Sequence, residues 1–357
     1  MLEPASAIGY GHAARRRGTV ATALAFAIVA GSVSAAPRPP VTWSMPPQQQ
    51  VVVPPPVDLT PHDMPSKADY EAGTRPDQIG RIIVNVMVNR QGPFRFALDT
   101  GANRSVLTPR LVTTLGLHTD DGDAVTMNGV TGSAAVPTTL VERVAAGDLA
   151  LERQRLPVAD SLTSEIDGIL GVDGLSAKRV LVDFAKDRIE IRNSRYERPM
   201  AGVTRIPAQL RFGRLMVVNA YVNGVHAKAV IDTGSEYTLG NDALRAALFA
   251  AADLRQKGKI EVIGETLDKQ QGERRPVSLI KVGDVRATHF DVVFGGFYVF
   301  KLWNLDAQPA LVIGMDIIGN LDAMVIDYER CEVQLVARQA PQLAVRHWGD
   351  RESWKNL

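Results

Sequence analysis

Alternating apolar and polar residues, in short runs separated by turn residues, dominate the chain between about residues 75 and 338. Alternation with a period of two predicts half-buried β-strands, and Asn-Gly between two such runs is a strong signal for a tight hairpin. Residues 215–222 and 225–231 flank Asn223-Gly224 in this way. We therefore expect a mostly β protein with few, short helices.

The strand pattern occurs twice along the chain. Residues 81–88 predict a strand, residues 89–93 a turn, and residues 94–98 a second strand that leads into Asp99. The hairpin of the second half leads in the same way into Asp232. Further landmarks repeat in the same order: Gly129 with Gly264, Gly147 with Gly283, Gly171 with Gly314, and Asp183 with Asp327. The separation between partners grows from 133 to 144 residues, so we interpret the second half as a copy of the first with a few insertions.

Each copy carries the triplet Asp-Thr-Gly directly after its second strand, at residues 99–101 and 232–234. One such triplet arises by chance in roughly one chain of this length in ten. Two triplets in matching surroundings, each followed by an apolar-apolar-Gly segment that ends at Gly171 or Gly314, are far more specific. In these features the chain resembles two fused retropepsin-like units of the aspartic protease family, over about residues 75–338.

The resemblance implies an all-β fold of two β-barrel lobes related by a pseudo-twofold axis, with short helices and one active site between the lobes. Asp99 and Asp232 are the implied catalytic residues, and hydrolysis of peptide bonds is the implied reaction. Two adjacent carboxyls share one proton, so one member serves as base toward water and the other as acid toward the amide. Aspartic proteases are the usual example of such a pair.

The other triplet residues have implied supporting roles. Gly101 and Gly234 lack a Cβ and therefore let the backbone approach the carboxylates. The resemblance implies that Thr100 and Thr233 exchange hydrogen bonds across the lobe junction. The segments that end at the two later glycines are expected to support the aspartate loops from beneath.

The residue after each triplet differs between the copies. Ser235 offers a hydroxyl that is able to donate to a carboxylate, whereas Ala102 does not. Loss of a hydrogen-bond donor raises the pKa of the acid that it would have served. We therefore expect a less acidic pH optimum than with hydroxyls at both positions.

Two glycine-containing segments are predicted to form mobile hairpins. By resemblance they are flaps that close over substrate, and an ordinary surface hairpin is the alternative. The expected substrate-binding residues are Gly129, Val130 and Thr131 in the first flap, and Ile263, Gly264 and Glu265 in the second.

One segment distinguishes the second copy from the first. Gly283 and Gly314 are seven residues further apart than Gly147 and Gly171, and the longer segment holds six aromatic residues between positions 290 and 303. These aromatics could line substrate pockets, pack in the core, or form a dimer contact.

The N-terminal region has two parts. Residues 1–35 carry three consecutive arginines, an apolar run of 12 residues and a small-x-small site, which is typical of a cleaved export signal. Export to the periplasm is therefore expected, with a membrane-associated, uncleaved N-terminus as the alternative. Residues 36–68 are rich in proline and predict a disordered linker, for which a pro-segment is the alternative. The lobes are expected at 69–200 and 201–338, before a tail at 339–357.

The composition of the chain limits the classes of binding partner that we expect. A net charge of +1 gives no reason to expect nucleic acid. The six histidines show no metal-ligand spacing, and the single cysteine, Cys331, excludes an intramolecular disulfide. We expect no cofactor and no metal, a polypeptide as substrate, and a monomer, because both aspartates lie on one chain. A non-catalytic peptide-binding or adaptor protein on the same scaffold is the alternative function.

Overall fold

The computed structural model describes residues 20–22, 28–30, 80–160, 165–196, 203–249 and 258–338. The predicted linker and tail lie outside the described residues, as does most of the predicted export signal. Among the described residues, no helix has the length and apolar character needed to cross a membrane.

Strands make up most of the described chain, which confirms the all-β expectation. The first half contains β1 (Val20–Thr22), β2 (Ile28–Ala30), β3 (Ile83–Val88), β4 (Gln91–Leu98), β5 (Val106–Leu107), α1 (Pro109–Thr114), β6 (Thr119–Asn128), β7 (Ser133–Ala146), β8 (Leu149–Pro157), β9 (Gly168–Leu170), β10 (Lys178–Asp183) and β11 (Arg188–Asn193). The second half contains β12 (Val203–Pro207), β13 (Gln209–Arg211), β14 (Leu215–Val222), β15 (Val225–Ile231), β16 (Leu239–Gly240), α2 (Asp242–Leu248), β17 (Lys259–Ile263), β18 (Lys269–Val282), β19 (Val285–Phe294), α3 (Tyr298–Leu302), β20 (Ala310–Ile313), α4 (Met315–Ile318), β21 (Leu321–Asp327) and β22 (Glu332–Ala337).

The two hairpins that lead into the aspartates have equivalent turns. Asn223 and Gly224 connect β14 to β15 with φ angles of 45° and 86°, as expected for a two-residue turn that matches the strand twist. In the first copy the predicted turn over residues 89–93 is too long. Asn89 and Arg90 alone form it, with φ angles of 50° and 65°, and β4 already begins at Gln91.

Three sheets organise these strands. The first lobe has an eight-stranded sheet in the order β2-β6-β7-β3-β4-β9-β5, with β8 paired to β7. The second lobe has a nine-stranded sheet in the order β1-β17-β18-β19-β16-β20-β15-β14-β13. A third sheet, β11-β10-β21-β22-β12, takes strands from both copies. Its central pair aligns Val180 with Ile326 and Val182 with Met324, all of them buried, so this sheet joins the lobes through apolar side chains.

The same strand arrangement holds each aspartate loop. In the first lobe β9 lies between β4, to which it is parallel, and β5, to which it is antiparallel; β20 lies in the same way between β15 and β16. Asp99 N donates to Leu170 O at 3.0 Å, and Asp232 N donates to Ile313 O at 3.0 Å. The backbone of each aspartate is therefore anchored to the apolar-apolar-Gly segment of its own lobe.

Candidate active site

The two aspartates lie at the ends of β4 and β15 and are both buried. Asp99 is 2% exposed and Asp232 is 0% exposed. Gly101 N donates to Asp99 Oδ1 at 2.8 Å, and Gly234 N donates to Asp232 Oδ1 at 2.9 Å. Each carboxylate is thus oriented by the backbone of its own triplet.

The aspartates from the two lobes are neighbours. A Cβ placed on Gly234 would lie only 2.4 Å from Asp99 Cγ, so glycine is required where the second loop meets the first carboxyl. Burial, followed by the charge of Asp99, raises the pKa of Asp232 well above its usual range. Two carboxyls this close favour a state in which one of them is protonated.

Thr100 and Thr233 form hydrogen bonds across the junction between the lobes, as the resemblance implied. Thr100 N donates to Thr233 Oγ1 at 3.1 Å, and Thr233 N donates to Thr100 Oγ1 at 3.1 Å. The hydroxyls in turn donate to main-chain oxygens of the opposite lobe, from Thr100 to Ile231 at 2.8 Å and from Thr233 to Leu98 at 2.6 Å. These four buried hydrogen bonds fix the two aspartate loops relative to each other.

The expectation for Ser235 is wrong. Its hydroxyl donates to Tyr237 O at 2.8 Å and stays within its own loop. A hydrogen bond from the backbone of Ser235 to Asp232 partly offsets the rise in the pKa of that aspartate. Ala102 is fully buried in the apolar core of the first lobe, and its carbonyl accepts from Val172 N at 2.8 Å. The difference between Ala102 and Ser235 therefore gives no reason for a less acidic pH optimum.

Beneath each aspartate loop lies a hydroxyl–carboxylate pair that the sequence analysis missed. In the first lobe Ser105 Oγ donates to Asp173 Oδ1 at 2.7 Å and accepts from Gly171 N at 3.1 Å. In the second, Thr238 and Asp316 make the equivalent contacts with Gly314, as Thr238 Oγ1 donates to Asp316 at 2.7 Å and accepts from Gly314 N at 3.2 Å. A comparison of the two copies that included these positions would have found both pairs.

The buried carboxyl of Asp316 predicts a pH-dependent stability. Burial raises its pKa from 3.8 to about 6 in the folded protein. The folded state therefore favours the protonated form, and the free energy of unfolding should fall as pH rises from about 4 to 6, by on the order of 3 kcal/mol. Asp316→Asn, which stays neutral, should lose this part of the pH dependence.

This expectation can be checked by denaturant unfolding at pH 4.5 and 7.5. Asp306→Asn serves as a control because Asp306 is exposed. The free energy of unfolding of wild type minus that of Asp316→Asn should differ between the two pH values. If this difference is the same at both, the expectation for Asp316 is contradicted.

The predicted flaps are two hairpins whose tips touch each other. The first flap comprises β6, β7 and their turn, and the second comprises β17, β18 and theirs. Thr131 Oγ1 donates to Asp268 O at 2.7 Å and accepts from Gly264 N at 3.1 Å. A Cβ on Gly264 would lie 2.5 Å from Thr131 Oγ1, and one on Gly129 would lie 3.1 Å from Thr266 Oγ1. The structure thus brings the two predicted flap segments together, with Ile263 at the end of β17.

Each flap also contacts the opposite lobe. Val130, at the tip of the first flap, is fully buried, and its carbonyl accepts from Val299 N of α3 at 3.1 Å. Tyr298 Oη of the same helix donates to Asn128 Oδ1 at 3.0 Å. From the second flap, Glu265 Oε1 lies 3.6 Å from Arg81 Nη1 of the first lobe.

The aromatic residues between positions 290 and 303 are divided between the core of the second lobe and the contact with the first flap. Phe294, Phe297, Phe300 and Trp303 are buried in the core of the second lobe, while Tyr298 reaches the first flap. Core packing therefore accounts for most of this segment, and helix α3 gives the first flap a docking surface that belongs to the second lobe.

No group of three or more His, Cys, Asp or Glu side chains in the described part of the chain is arranged to hold a metal ion. The site consists of two carboxyls, their reciprocal threonines and two closed flaps. Two lobes that each supply one aspartate to a shared site define the two-lobed aspartic protease fold.

Comparisons with known proteins identify the family. The family model described as aspartyl protease matches residues 84–173 and again residues 218–317. The chain therefore belongs to the aspartyl protease family and contains two copies of its unit.

The chain is also similar to solved structures of aspartic proteases. The chain is similar to the aspartic proteinase from Irpex lacteus, with 13% identity over 76% of this chain and 98% of that one, and a TM-score of 0.47. It is also similar to a retropepsin-like aspartic protease from Rickettsia conorii, with 16% identity over 37% of this chain and 90% of that one, and a TM-score of 0.27. No curated protein matches the chain.

Proposed function

We propose that this protein is an aspartic endopeptidase in which Asp99 and Asp232 activate a water molecule for the hydrolysis of peptide bonds. The supporting observation is the juxtaposition of two buried carboxyls, one from each lobe, with the pKa of Asp232 raised by burial and by the charge of Asp99. Such a pair retains one proton over a range of pH in which isolated carboxyls have lost theirs.

The singly protonated pair supplies both an acid and a base. The ionised carboxylate takes a proton from water as the water oxygen bonds to the carbonyl carbon, and the protonated carboxyl gives its proton to the carbonyl oxygen. The carboxyl that took the proton from water then gives it to the amide nitrogen, and the other carboxylate takes a proton from one hydroxyl of the tetrahedral intermediate as the C–N bond breaks. This yields a carboxylic acid and an amine and restores the singly protonated pair. Because the reciprocal threonine bonds hold the loops, the carboxyls need no rearrangement between these steps.

A peptide digest tests this function. The full-length protein, incubated with a broad peptide library, should produce new termini that mass spectrometry detects, and a statine-type transition-state mimic should suppress them. Binding of peptides without any cleavage would contradict the proposal and favour a peptide-binding protein.

The proposed chemistry also predicts a bell-shaped dependence of rate on pH. Activity should fall in acid as the second carboxyl gains its proton and in base as the pair loses its last one. Because the pKa of Asp232 is raised, the falling limb on the basic side should lie above the usual range of aspartate. Initial rates on one cleaved peptide across pH check this, and activity that rises steadily into the alkaline range would contradict it.

We propose that the active species is an exported monomer. One chain supplies both aspartates, and residues 1–35 have the features of an export signal. The intact mass of mature protein from the native host should correspond to a start near Ala36, and a mass that includes Met1 would contradict export with cleavage.

A further inference from the structure

A pocket next to the Asp99 loop is formed by the first lobe and closed by the second flap. Its walls are mainly apolar residues of the first lobe, including Val106, Met127 and Ile169. Two acidic residues also line it, Asp160 of the first lobe and Glu265 of the second flap. The space available to water-sized molecules is about 10 Å³, roughly the space that one water molecule needs. In the closed state the pocket is therefore nearly full.

Glu265 is held in this position by a buried cation. Its carboxylate lies 3.6 Å from the Arg81 guanidinium, and the two residues are 3% and 1% exposed. Arg81 precedes Ile82, whose carbonyl accepts from Leu98 N at 2.8 Å, so the pair lies beside the strand that ends at Asp99. Separating a buried ion pair gives up the attraction between two opposite charges in a medium of low dielectric constant, which disfavours movement of Glu265 away from Arg81.

The backbone around Glu265 is fixed as well. Gly264 N donates to Thr131 Oγ1 of the first flap at 3.1 Å and also to Asp268 O of its own turn at 3.2 Å. Movement of the Glu265 backbone out of this position therefore requires movement of the second flap.

We propose that Glu265, held by Arg81, restricts this pocket to small, uncharged side chains of the polypeptide substrate. This inference rests on the proposed function. A side chain no larger than a methyl group, which is comparable in size to one water molecule, fits against Val106 and Ile169 while Glu265 stays paired. A large side chain occupies the place of the carboxylate and separates the ion pair, and an acidic one brings a second negative charge against Glu265.

The test is a cleavage-preference profile of the full chain and its variants on a peptide library randomised around one cleaved sequence. Glu265→Ala removes both volume and charge, whereas Glu265→Gln removes the charge and nearly keeps the volume. Leu267→Ala is the matched control, because Leu267 lies in the same turn, is 50% exposed and does not line the pocket. Thermal unfolding of each variant verifies that it is folded.

At one substrate position wild type should prefer small apolar side chains. There Glu265→Ala should raise kcat/KM for large aromatic side chains, relative to small ones, by about tenfold or more. Glu265→Gln should keep the size limit and weaken the discrimination against acidic side chains, to which Asp160 still contributes, and Leu267→Ala should match wild type. If wild type cleaves peptides, but the folded Glu265 variants show the same side-chain preference as wild type at every substrate position, the inference is overturned and the proposed function stands. If wild type cleaves nothing, the proposed function fails and the inference fails with it.

Discussion

Asp99→Asn and Asp232→Asn should each reduce peptide hydrolysis by about a thousandfold or more, because an amide is unable to serve as base or to pass on the shared proton. Asparagine is similar to aspartic acid in size, so Gly101 N and Gly234 N keep an oxygen acceptor at each loop. Folding should be preserved. The free energy of unfolding should even rise slightly, since each substitution removes one of two crowded carboxyls.

The measurement is the initial rate on one cleaved peptide, with denaturant unfolding of the same samples. Asp306→Asn controls for loss of an exposed carboxyl, and binding of a statine-type mimic shows that the cleft is intact. Comparable turnover by either dyad variant would show that hydrolysis does not depend on the pair. A variant that unfolds more easily than wild type would show that the carboxyls are needed for structure.

The parts of the site that follow from local sequence were predictable. Asp-Thr-Gly after a strand is a contiguous signal, so Asp99 and Asp232 could be named, and the family resemblance implied that they meet. The roles of Thr100 and Thr233 came from the family resemblance, and the hydrogen bonds agree with it. In both copies the hydroxyl residue comes six positions after the aspartate of the triplet and the acidic residue two positions after the later glycine, so the same comparison of the copies would have found both pairs.

Other features depend on which way a side chain turns, and sequence does not specify this. The Ser235 hydroxyl has the backbone of Tyr237 within reach and binds there instead of at the carboxylate. The Arg81–Glu265 pair was hidden for a different reason. Ile83 and Val217 face residues two places before Asp99 and Asp232, respectively, so the counterpart of Arg81 in the second copy is the buried Leu215. A feature present in only one copy gives no repeated signal.

Asymmetry between the copies is concentrated in the contacts that close the cleft. The first flap docks on α3, which lies in the segment that is longer in the second copy, and the second flap docks through an ion pair on the first lobe. Because the first flap is held by hydrogen bonds between neutral groups and the second by a buried ion pair, the two flaps are not equivalent even though the aspartate loops are. Access to the dyad should therefore require that the flap tips separate.

A disulfide between the flap tips should abolish hydrolysis until it is reduced. A Cβ built on Gly132 lies 3.0 Å from Asp268 Cβ, close to the separation of about 3.5–4.5 Å found in disulfides. Gly132 alone would not accept a side chain, because its Cβ would lie 2.2 Å from Asp268 Oδ2. Replacing both residues, as Gly132→Cys with Asp268→Cys, removes this carboxylate and places two thiols together.

The oxidised double variant should have only background activity on a peptide substrate, and a reducing agent should restore the rate of the reduced protein. The two single cysteine variants are the controls. They show whether the new cysteine forms a disulfide with the partly buried Cys331, and whether either substitution by itself changes activity. Non-reducing peptide mapping identifies the 132–268 bond. An oxidised double variant that cleaves as fast as its reduced form would show that substrate reaches Asp99 and Asp232 without separation of the flap tips.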